Sequence, residues 1–137
     1  MIDRIFIDTN ILVYDYLQDD IEKHEKATNF LNGLIAKEVF ISTQVLSETY
    51  SALKKNLVED DKIKYYVKYC IEKYNVYPVT VNEVKTCLDI IERYKYSYWD
   101  CLVIASARNI DCEILYSEDM QNKQIIYSNF KIINPLI

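Results

Sequence analysis

Four acidic residues stand beside strongly apolar stretches of this sequence, at comparable points along it: Asp8, Glu48, Asp100 and Asp119. Asp8 directly follows the short run Arg4–Ile7, and an isolated carboxylate at the end of a buried strand is costly unless something pairs with it. Each acid has an ordinary explanation alone, because acids favour helix N-termini and turns. Their shared kind of position is what indicates a joint role.

Strands separated by helices imply a parallel sheet whose carboxyl ends meet at one edge, where ligands of open α/β sheets bind. Four uncompensated negative charges would repel one another there, and a divalent cation resolves the conflict. Ligands made only of oxygen suit Mg²⁺ or Mn²⁺. Two such ions can activate water and stabilise the leaving oxygen of a phosphodiester. Thr9, Asn10 and Ser117 are then expected to orient the carboxylates or the metal-bound waters.

The elements that must position these residues are read from apolar periodicity. Strands are predicted at Arg4–Ile7, Glu38–Ser42, Val76–Val79 (with Pro78 at a sheet edge or a strand start), Glu113–Tyr116 and Phe130–Ile133. Helices are predicted at Ile11–Tyr16 with Thr9 as N-cap, Glu22–Lys37 including Ile35, Thr43–Asn56, Asp60–Tyr74, Thr80–Tyr94 with a Thr80–Glu83 capping box, and Cys101–Asn109 after Asp100. Ile71 and Leu88 are expected to face the core. The fold class is therefore α/β: a three-layer α/β/α sandwich around a mainly parallel sheet of four to five strands.

Composition bounds the function classes. The 137 residues, 50% hydrophobic and 27% charged, are predicted to form one soluble domain over 1–137. With a single glycine, Gly33, the chain lacks the glycine-rich loops that hold nucleotides. A net charge of −5 argues against unspecific coating of nucleic acid, but it does not exclude a nucleic-acid enzyme whose metal ions carry the positive charge.

Cysteine, histidine and hydropathy patterns exclude further classes. The four cysteines stand apart from one another and from histidine, so buried free thiols are expected rather than zinc ligands or disulfides. The one histidine, His24, is expected on a solvated helix face. No stretch approaches the ~18 apolar residues of a membrane span, and a cytoplasmic location is expected.

The sequence resembles the PIN-domain family, of the kind found as the ribonuclease toxin in VapBC toxin–antitoxin pairs. Four blocks in the family's order carry the resemblance: 6–14 (FIDTNILVY), 42–48 (STQVLSE), 99–107 (WDCLVIASA) and 115–120 (LYSEDM). The resemblance implies that Asp8, Glu48, Asp100 and Asp119 form an acidic quartet that binds Mg²⁺ or Mn²⁺. Asn10 would lie nearby, and Glu118, beside Asp119, is an additional candidate ligand.

The resemblance also implies partners. Members of the family cleave single-stranded or structured RNA, often as homodimers, and a small antitoxin protein holds the toxin members inactive. For the path of the RNA the sequence offers five basic candidates, which its pattern does not distinguish from ordinary surface charges: Lys54, Lys55, Arg93, Lys95 and Arg108.

Three other functions stay open at this point. A phosphatase with an aspartyl nucleophile also has an acid after its first strand, but it needs a second acid two residues later, where this chain has Asn10. A PIN nuclease that processes RNA without being a toxin would share every motif above. A catalytically silent PIN-like interaction module, whose acids hold a structural metal, would share them too.

Overall fold

The computed structural model describes residues 3–34 and 38–137. Within these residues six strands and six helices follow one another along the chain. The strands are β1 Arg4–Ile7, β2 Glu38–Ser42, β3 Asn75–Tyr77, β4 Ile114–Tyr116, β5 Ile125–Ile126 and β6 Phe130–Ile133. The helices are α1 Thr9–Tyr16, α2 Ile21–Asn32, α3 Thr43–Lys55, α4 Asp60–Lys73, α5 Val81–Arg93 and α6 Tyr98–Asn109.

All six strands belong to one sheet, in the order β3-β2-β1-β4-β6-β5. Every neighbouring pair is parallel except β5 with β6. Ile5, Phe6 and Ile7 of the central strand β1 have no exposed surface, as expected when helices cover both faces of a parallel sheet. The predicted three-layer α/β/α sandwich is confirmed.

The strand order reverses between β1 and β4, because β2 lies on one side of β1 and β4 on the other. At such a reversal the connections that leave the two strands diverge, and a crevice opens at their carboxyl ends. Asp8 and Ser117 are the first residues after β1 and β4, and the Asp8 amide donates a hydrogen bond to the Tyr116 carbonyl at 3.0 Å. The fold therefore places both residues at the crevice.

The sheet has one strand more than the predicted four to five. The additional strand is β5, which pairs antiparallel with β6. Because β5 is only two residues long, no alternating pattern of apolar residues can reveal it. Tyr127 and Ser128 in the turn between them have φ angles of 51° and 76°, where glycine would be the usual signal. β3 lies at the sheet edge as predicted, but it ends at Tyr77, before Pro78.

Two helices begin earlier than predicted. α1 begins at Thr9, and its N-cap is Asp8 rather than Thr9, because the Asp8 carboxylate accepts a hydrogen bond from the Thr9 amide. α6 begins at Tyr98, and the hydroxyl of its N-cap, Ser97, accepts from the amide of Asp100. Of the predicted metal ligands, Asp8 is thus the N-cap of a helix and Asp100 lies in the first turn of another.

The predictions for α2 are partly corrected. The helix ends at Asn32, just before the glycine, rather than at Lys37. The predicted apolar residue Ile35 lies outside the described residues. His24, expected on a solvated face, is half-buried, and its Nδ1 lies 2.9 Å from the Tyr14 carbonyl oxygen.

Two residues assigned to the core are on the surface. Ile71 is 49% exposed and Leu88 is 53% exposed. In α5 the buried positions are Glu83, Cys87 and Ile90, and Leu88 is rotated by about 100° from Cys87 on the helix. The error was one of helical phase, since both faces of α5 carry apolar residues.

Other expectations are met. The Thr80–Glu83 capping box is present, and the four cysteines are buried free thiols. In the part of the chain that the structure describes, no helix is both long and apolar enough to cross a membrane.

Candidate active site

A cleft of about 950 Å³ opens at the carboxyl edge of the sheet. Its walls come from α1, one side of α3, the first turn of α6 and the loop after β4. The acidic residues singled out in the sequence all line it: Asp8, Glu48, Asp100, Glu118 and Asp119. We call this the acid cleft. The fold thus gathers at one place residues that are up to 111 positions apart in the chain, from Asp8 to Asp119.

Asp8 is buried, with 5% of its surface exposed. Its Oδ1 accepts a hydrogen bond from the Thr9 amide and its Oδ2 one from the Ser117 hydroxyl, each at 2.7 Å. Burial raises the pKa of Asp8, these two hydrogen bonds lower it, and the negative charges of Asp100 and Asp119 raise it again. The resulting pKa is about 7, far above the ordinary 3.8.

Asn10 and Ser117 join the loop after β4 to α1. The Asn10 amide nitrogen donates to Ser117 Oγ at 3.4 Å and, more weakly, to Asp8 Oδ2 at 3.5 Å. The Asn10 amide oxygen accepts from the Glu118 backbone at 3.1 Å, and Ser117 Oγ accepts from the Asp119 backbone at 3.3 Å. One hydrogen-bonded group therefore fixes where Asp8 and Asp119 lie relative to each other.

Glu48 faces this group from α3, one turn into the helix. The Thr9 hydroxyl donates to Glu48 Oε1 at 3.1 Å. Burial raises the pKa of Glu48, hydrogen bonds from Thr9 and Gln44 oppose the rise, and the charges of Asp100 and Asp119 add to it. Thr9 therefore contributes its amide to one carboxylate and its hydroxyl to another.

Gln44 lies one turn before Glu48 on the same face of α3. Its Nε2 donates to the Trp99 carbonyl oxygen at 3.0 Å and so connects α3 to the first turn of α6. Its Oε1 is buried and has no hydrogen-bond partner among the described residues. This oxygen is an unused acceptor in the wall of the acid cleft.

Asp100 and Asp119 lie among the other acids, whereas Glu118 has a basic partner. Burial raises the pKa of Asp100, the charge of Asp119 raises it further, and a hydrogen bond with Ser97 lowers it. Asp119 thus acts electrostatically on each of the other three acids. Glu118 instead forms an ion pair with Lys23 of α2, with 2.7 Å between Oε2 and Nζ.

The donor atoms of the acid cleft fit a hard divalent cation. They are all oxygen, Asp8, Glu48 and Asp100 keep raised pKa values despite their hydrogen bonds, and Gln44 Oε1 lacks a donor. Among the described residues no three His, Cys, Asp or Glu side chains form a group that could hold a metal by itself. Mg²⁺ usually keeps several waters and contacts one or two carboxylates plus a substrate phosphate, so such a closed group is not required.

The basic residues considered for a nucleic-acid path are scattered. Only Lys55 of the five lines the acid cleft, at the C-terminal end of α3. Lys54 forms an ion pair with an acid of α4 at 2.6 Å. Arg93 and Arg108 both stack on the tyrosine of the β5–β6 turn, 4.9 and 4.3 Å from the ring centre. The acid cleft therefore offers little positive charge to a polyanion.

One residue that lines the acid cleft and one that pairs with a residue of it were not among the predicted site residues. Lys23 lies far from Glu118 in the chain, and only the packing of α2 against the loop after β4 brings them together. Trp99 lines the cleft and is 59% exposed, although large aromatic side chains are usually at least partly packed. Its place next to Asp100 in the sequence is the one signal that could have identified it.

Comparison with known proteins gives a family match over most of the chain. A family model described as PIN domain matches residues 5–125. No curated protein shows a significant match.

Solved structures share the fold. VapC20 of Mycobacterium tuberculosis, described as a sarcin-ricin loop cleaving toxin, has a TM-score of 0.70 at 21% identity, over 84% of this chain and 89% of that chain. A toxin–antitoxin complex from Klebsiella pneumoniae has a TM-score of 0.71 at 18% identity, over 96% and 97%. VapBC2 from Rickettsia felis, bound to a DNA fragment from their promoter, has a TM-score of 0.68 at 17% identity, over 94% and 96%. At these identities the likeness is one of fold.

Proposed function

The chain belongs to the PIN-domain family, and on that premise we propose that it is a metal-dependent endoribonuclease, the toxin of a toxin–antitoxin pair. One observation carries the proposal: Asp8, Glu48, Asp100 and Asp119 meet in the acid cleft at the reversal of strand order. Three of these acids have raised pKa values, so the cleft holds more negative charge than its hydrogen bonds compensate. A divalent cation relieves such a site.

The residues that would hold Mg²⁺ or Mn²⁺ are Asp8, Glu48, Asp100 and Asp119. When bound, the ion supplies an activated water and neutralises charge at the phosphodiester. The chain's own contribution is positioning: Ser117 and Thr9 hold two of the carboxylates by hydrogen bonds, and Asn10 holds the loop after β4. We assign Glu118 to its ion pair with Lys23 and not to the metal.

The reaction is hydrolysis without a covalent protein intermediate. A water oxygen forms a bond to phosphorus, the bond from phosphorus to one ester oxygen breaks, and a proton ends on that leaving oxygen. The products are a phosphate monoester and a free hydroxyl. Asn10 in place of a second acid supports this scheme over phosphatase chemistry with an aspartyl nucleophile.

RNA, an antitoxin and a second copy of the chain are the partners proposed. The choice of RNA is supported by the family and by the fold shared with a sarcin-ricin loop cleaving toxin. The choice of a small protein antitoxin is supported by two relatives of the fold that were solved as toxin–antitoxin assemblies. Light scattering of the purified chain tests the homodimer.

Cleavage is tested by incubating the purified protein with mixed RNAs in Mg²⁺, in Mn²⁺ and in EDTA. Cleavage is expected with either ion and absent in EDTA, and Asp8→Asn is expected to abolish it. Asp89→Asn, an exposed acid on α5, is the matched control and should cleave like the wild type. Persistent cleavage in EDTA, or undiminished cleavage by Asp8→Asn, contradicts the proposal.

The toxin assignment needs a separate experiment. Expression of the chain alone should arrest growth, expression of Asp8→Asn should not, and a small protein that co-purifies with the chain should silence it. Harmless expression of an enzyme that cleaves RNA in vitro would favour an RNA-processing nuclease. Absence of cleavage with either metal would favour a silent PIN-like interaction module.

A further inference from the structure

Trp99 presents a large apolar surface to water inside a charged cleft. It is the only tryptophan of the chain, lies in the first turn of α6 beside Asp100, and is 59% exposed while lining the acid cleft. The residues that follow it in α6, Cys101 to Ala107, are all buried. The helix therefore does not need Trp99 for its own packing.

The backbone of Trp99 is fixed, and its exposed ring contacts the ring of Tyr98. The Trp99 carbonyl accepts the hydrogen bond from Gln44 at 3.0 Å, and Ser97 caps the helix two residues earlier. The Tyr98 ring stands at 89° to the Trp99 ring with 5.0 Å between the ring centres. A ring on the first turn of a buried helix loses little conformational freedom when a ligand contacts it.

The acids of the acid cleft repel the phosphates of a nucleic acid. A nucleic acid brings phosphates to four acids in a chain with net charge −5. The nearby Lys23 is already paired with Glu118, and Lys55 is the one basic residue that lines the cleft among those described. Since neutralisation of phosphates by Lys and Arg is weak here, binding needs a contact that does not depend on charge. Stacking of a base on an aromatic ring is such a contact.

Building on the proposed function, we propose that Trp99 stacks on an unpaired nucleobase next to the scissile phosphate, and that this contact gives the enzyme its preference for single-stranded segments. A base inside a duplex has both faces covered by its neighbours and cannot stack on a protein ring without being unstacked. The adjacency of Trp99 to Asp100 places the stacked base and the acids in one cleft. Trp99 is thereby a specificity-determining residue rather than a member of the acidic group.

The test uses the intrinsic fluorescence of Trp99, which no other tryptophan obscures. Asp8→Asn protein in Mg²⁺, which should bind without cleaving, is titrated with a short unstructured RNA and with the same strand annealed to its complement. The single strand should quench the emission saturably and bind about tenfold tighter than the duplex. In the same Asp8→Asn protein, the additional change Trp99→Ala should weaken binding of a dye-labelled single strand by about tenfold, and Trp99→Phe at that position should retain most of the binding.

Tyr65→Ala is the matched control, because Tyr65 is 78% exposed on α4 and does not line the acid cleft. It should leave binding and strand preference unchanged. Thermal unfolding of each variant identifies a loss of fold, in which case the quenching titration, which leaves Trp99 in place, carries the test. The proposal is overturned if the single strand does not quench Trp99, if Trp99→Ala binds both RNAs like its Asp8→Asn parent, or if the emission changes with protein concentration alone, which would assign the ring to a contact between copies.

The outcome is separable from the proposed function. Absence of cleavage with saturable quenching by the single strand would refute the nuclease and keep the stacking site. Metal-dependent cleavage whose preference for single-stranded over duplex RNA is the same in Trp99→Ala as in the wild type would keep the nuclease and refute the stacking site.

Discussion

Replacing Asp8 by asparagine should stabilise the fold while it abolishes cleavage. The pKa of Asp8 is about 7 in the folded protein against 3.8 ordinarily, so the folded chain binds a proton there more tightly than the unfolded chain. Stability from this group is therefore complete below about pH 4 and falls as the pH rises towards about 7. The difference between the two pKa values corresponds to about 4 kcal/mol in the free energy of unfolding. We halve this to about 2 kcal/mol, because the folded protein relaxes around the charge and water enters the cleft.

The geometry explains why asparagine removes the charge without removing the structure. Asparagine is as good an N-cap as aspartate, so the bond from the Thr9 amide to the side-chain oxygen is kept. The Ser117 hydroxyl can rotate to accept from the new amide group when it gives up one of the two bonds that it accepts from Asn10 and the Asp119 backbone. The bonds lost are then long ones: that from Asn10 to Asp8 at 3.5 Å and that from Asn10 to Ser117 at 3.4 Å.

Thermal unfolding in metal-free buffer at several pH values measures the effect. Near pH 8 the midpoint of Asp8→Asn should lie roughly 8 °C above that of the wild type, and near pH 4 the two should nearly coincide. Added Mg²⁺ should narrow the gap near pH 8, because the cation stabilises the wild type more. Asp89→Asn should follow the wild type within about 0.5 kcal/mol throughout.

The reasoning is refuted if Asp8→Asn is less stable than the wild type at every pH. It is refuted equally if the gain is the same near pH 4 as near pH 8, since a gain independent of pH does not come from the charge.

Further substitutions separate the roles of neighbouring groups. Initial cleavage rates should fall by more than about 100-fold in Asp119→Asn but stay within about threefold in Glu118→Gln, since the latter loses only an ion pair with a lysine of α2. Ser117→Ala should cleave about 10–100-fold more slowly, because it removes the hydrogen bond that orients the Asp8 carboxylate but removes none of the acids. Glu83 has a pKa of about 2 in the folded protein, so it stabilises the fold above about pH 4.5 by about 3 kcal/mol, and this is lost as the pH falls towards 2. Urea unfolding near pH 7 and near pH 3 should therefore show Glu83→Gln strongly destabilised at the higher pH and much less so at the lower.

Sequence patterns predicted that the acids would lie at one edge of the sheet, where they line one cleft, but not which side chains they would contact. Asp8 was identifiable because an acid after a buried strand needs an explanation, and the α/β alternation placed its partners at the same edge. The choice between Glu118 and Asp119 was not predictable, because Lys23, which pairs with Glu118, reaches it only through the packing of α2. The exposure of Trp99 was not predictable either, since helical periodicity cannot tell whether the first turn of a buried helix faces the core or a cleft.

Two buried carboxylates of this chain show why environment rather than residue type separates structure from function. Glu83 accepts four hydrogen bonds of 2.6 to 2.9 Å from Tyr77, Thr80 and Asn109, and they hold its pKa at about 2 despite burial. Asp8 accepts two short bonds and faces other acids, and its pKa is about 7.

The protein could have satisfied Asp8 in the same way, because both acids act at helix N-termini and both have neutral donors nearby. Instead Asp8 is buried with only two short hydrogen bonds, which do not offset the burial, and the charges of Asp100 and Asp119 raise its pKa further. A fold retains such a cost when a ligand removes it. We therefore expect a divalent cation beside Asp8 and its neighbouring acids Asp100 and Asp119, which belong to the quartet that the family resemblance implies.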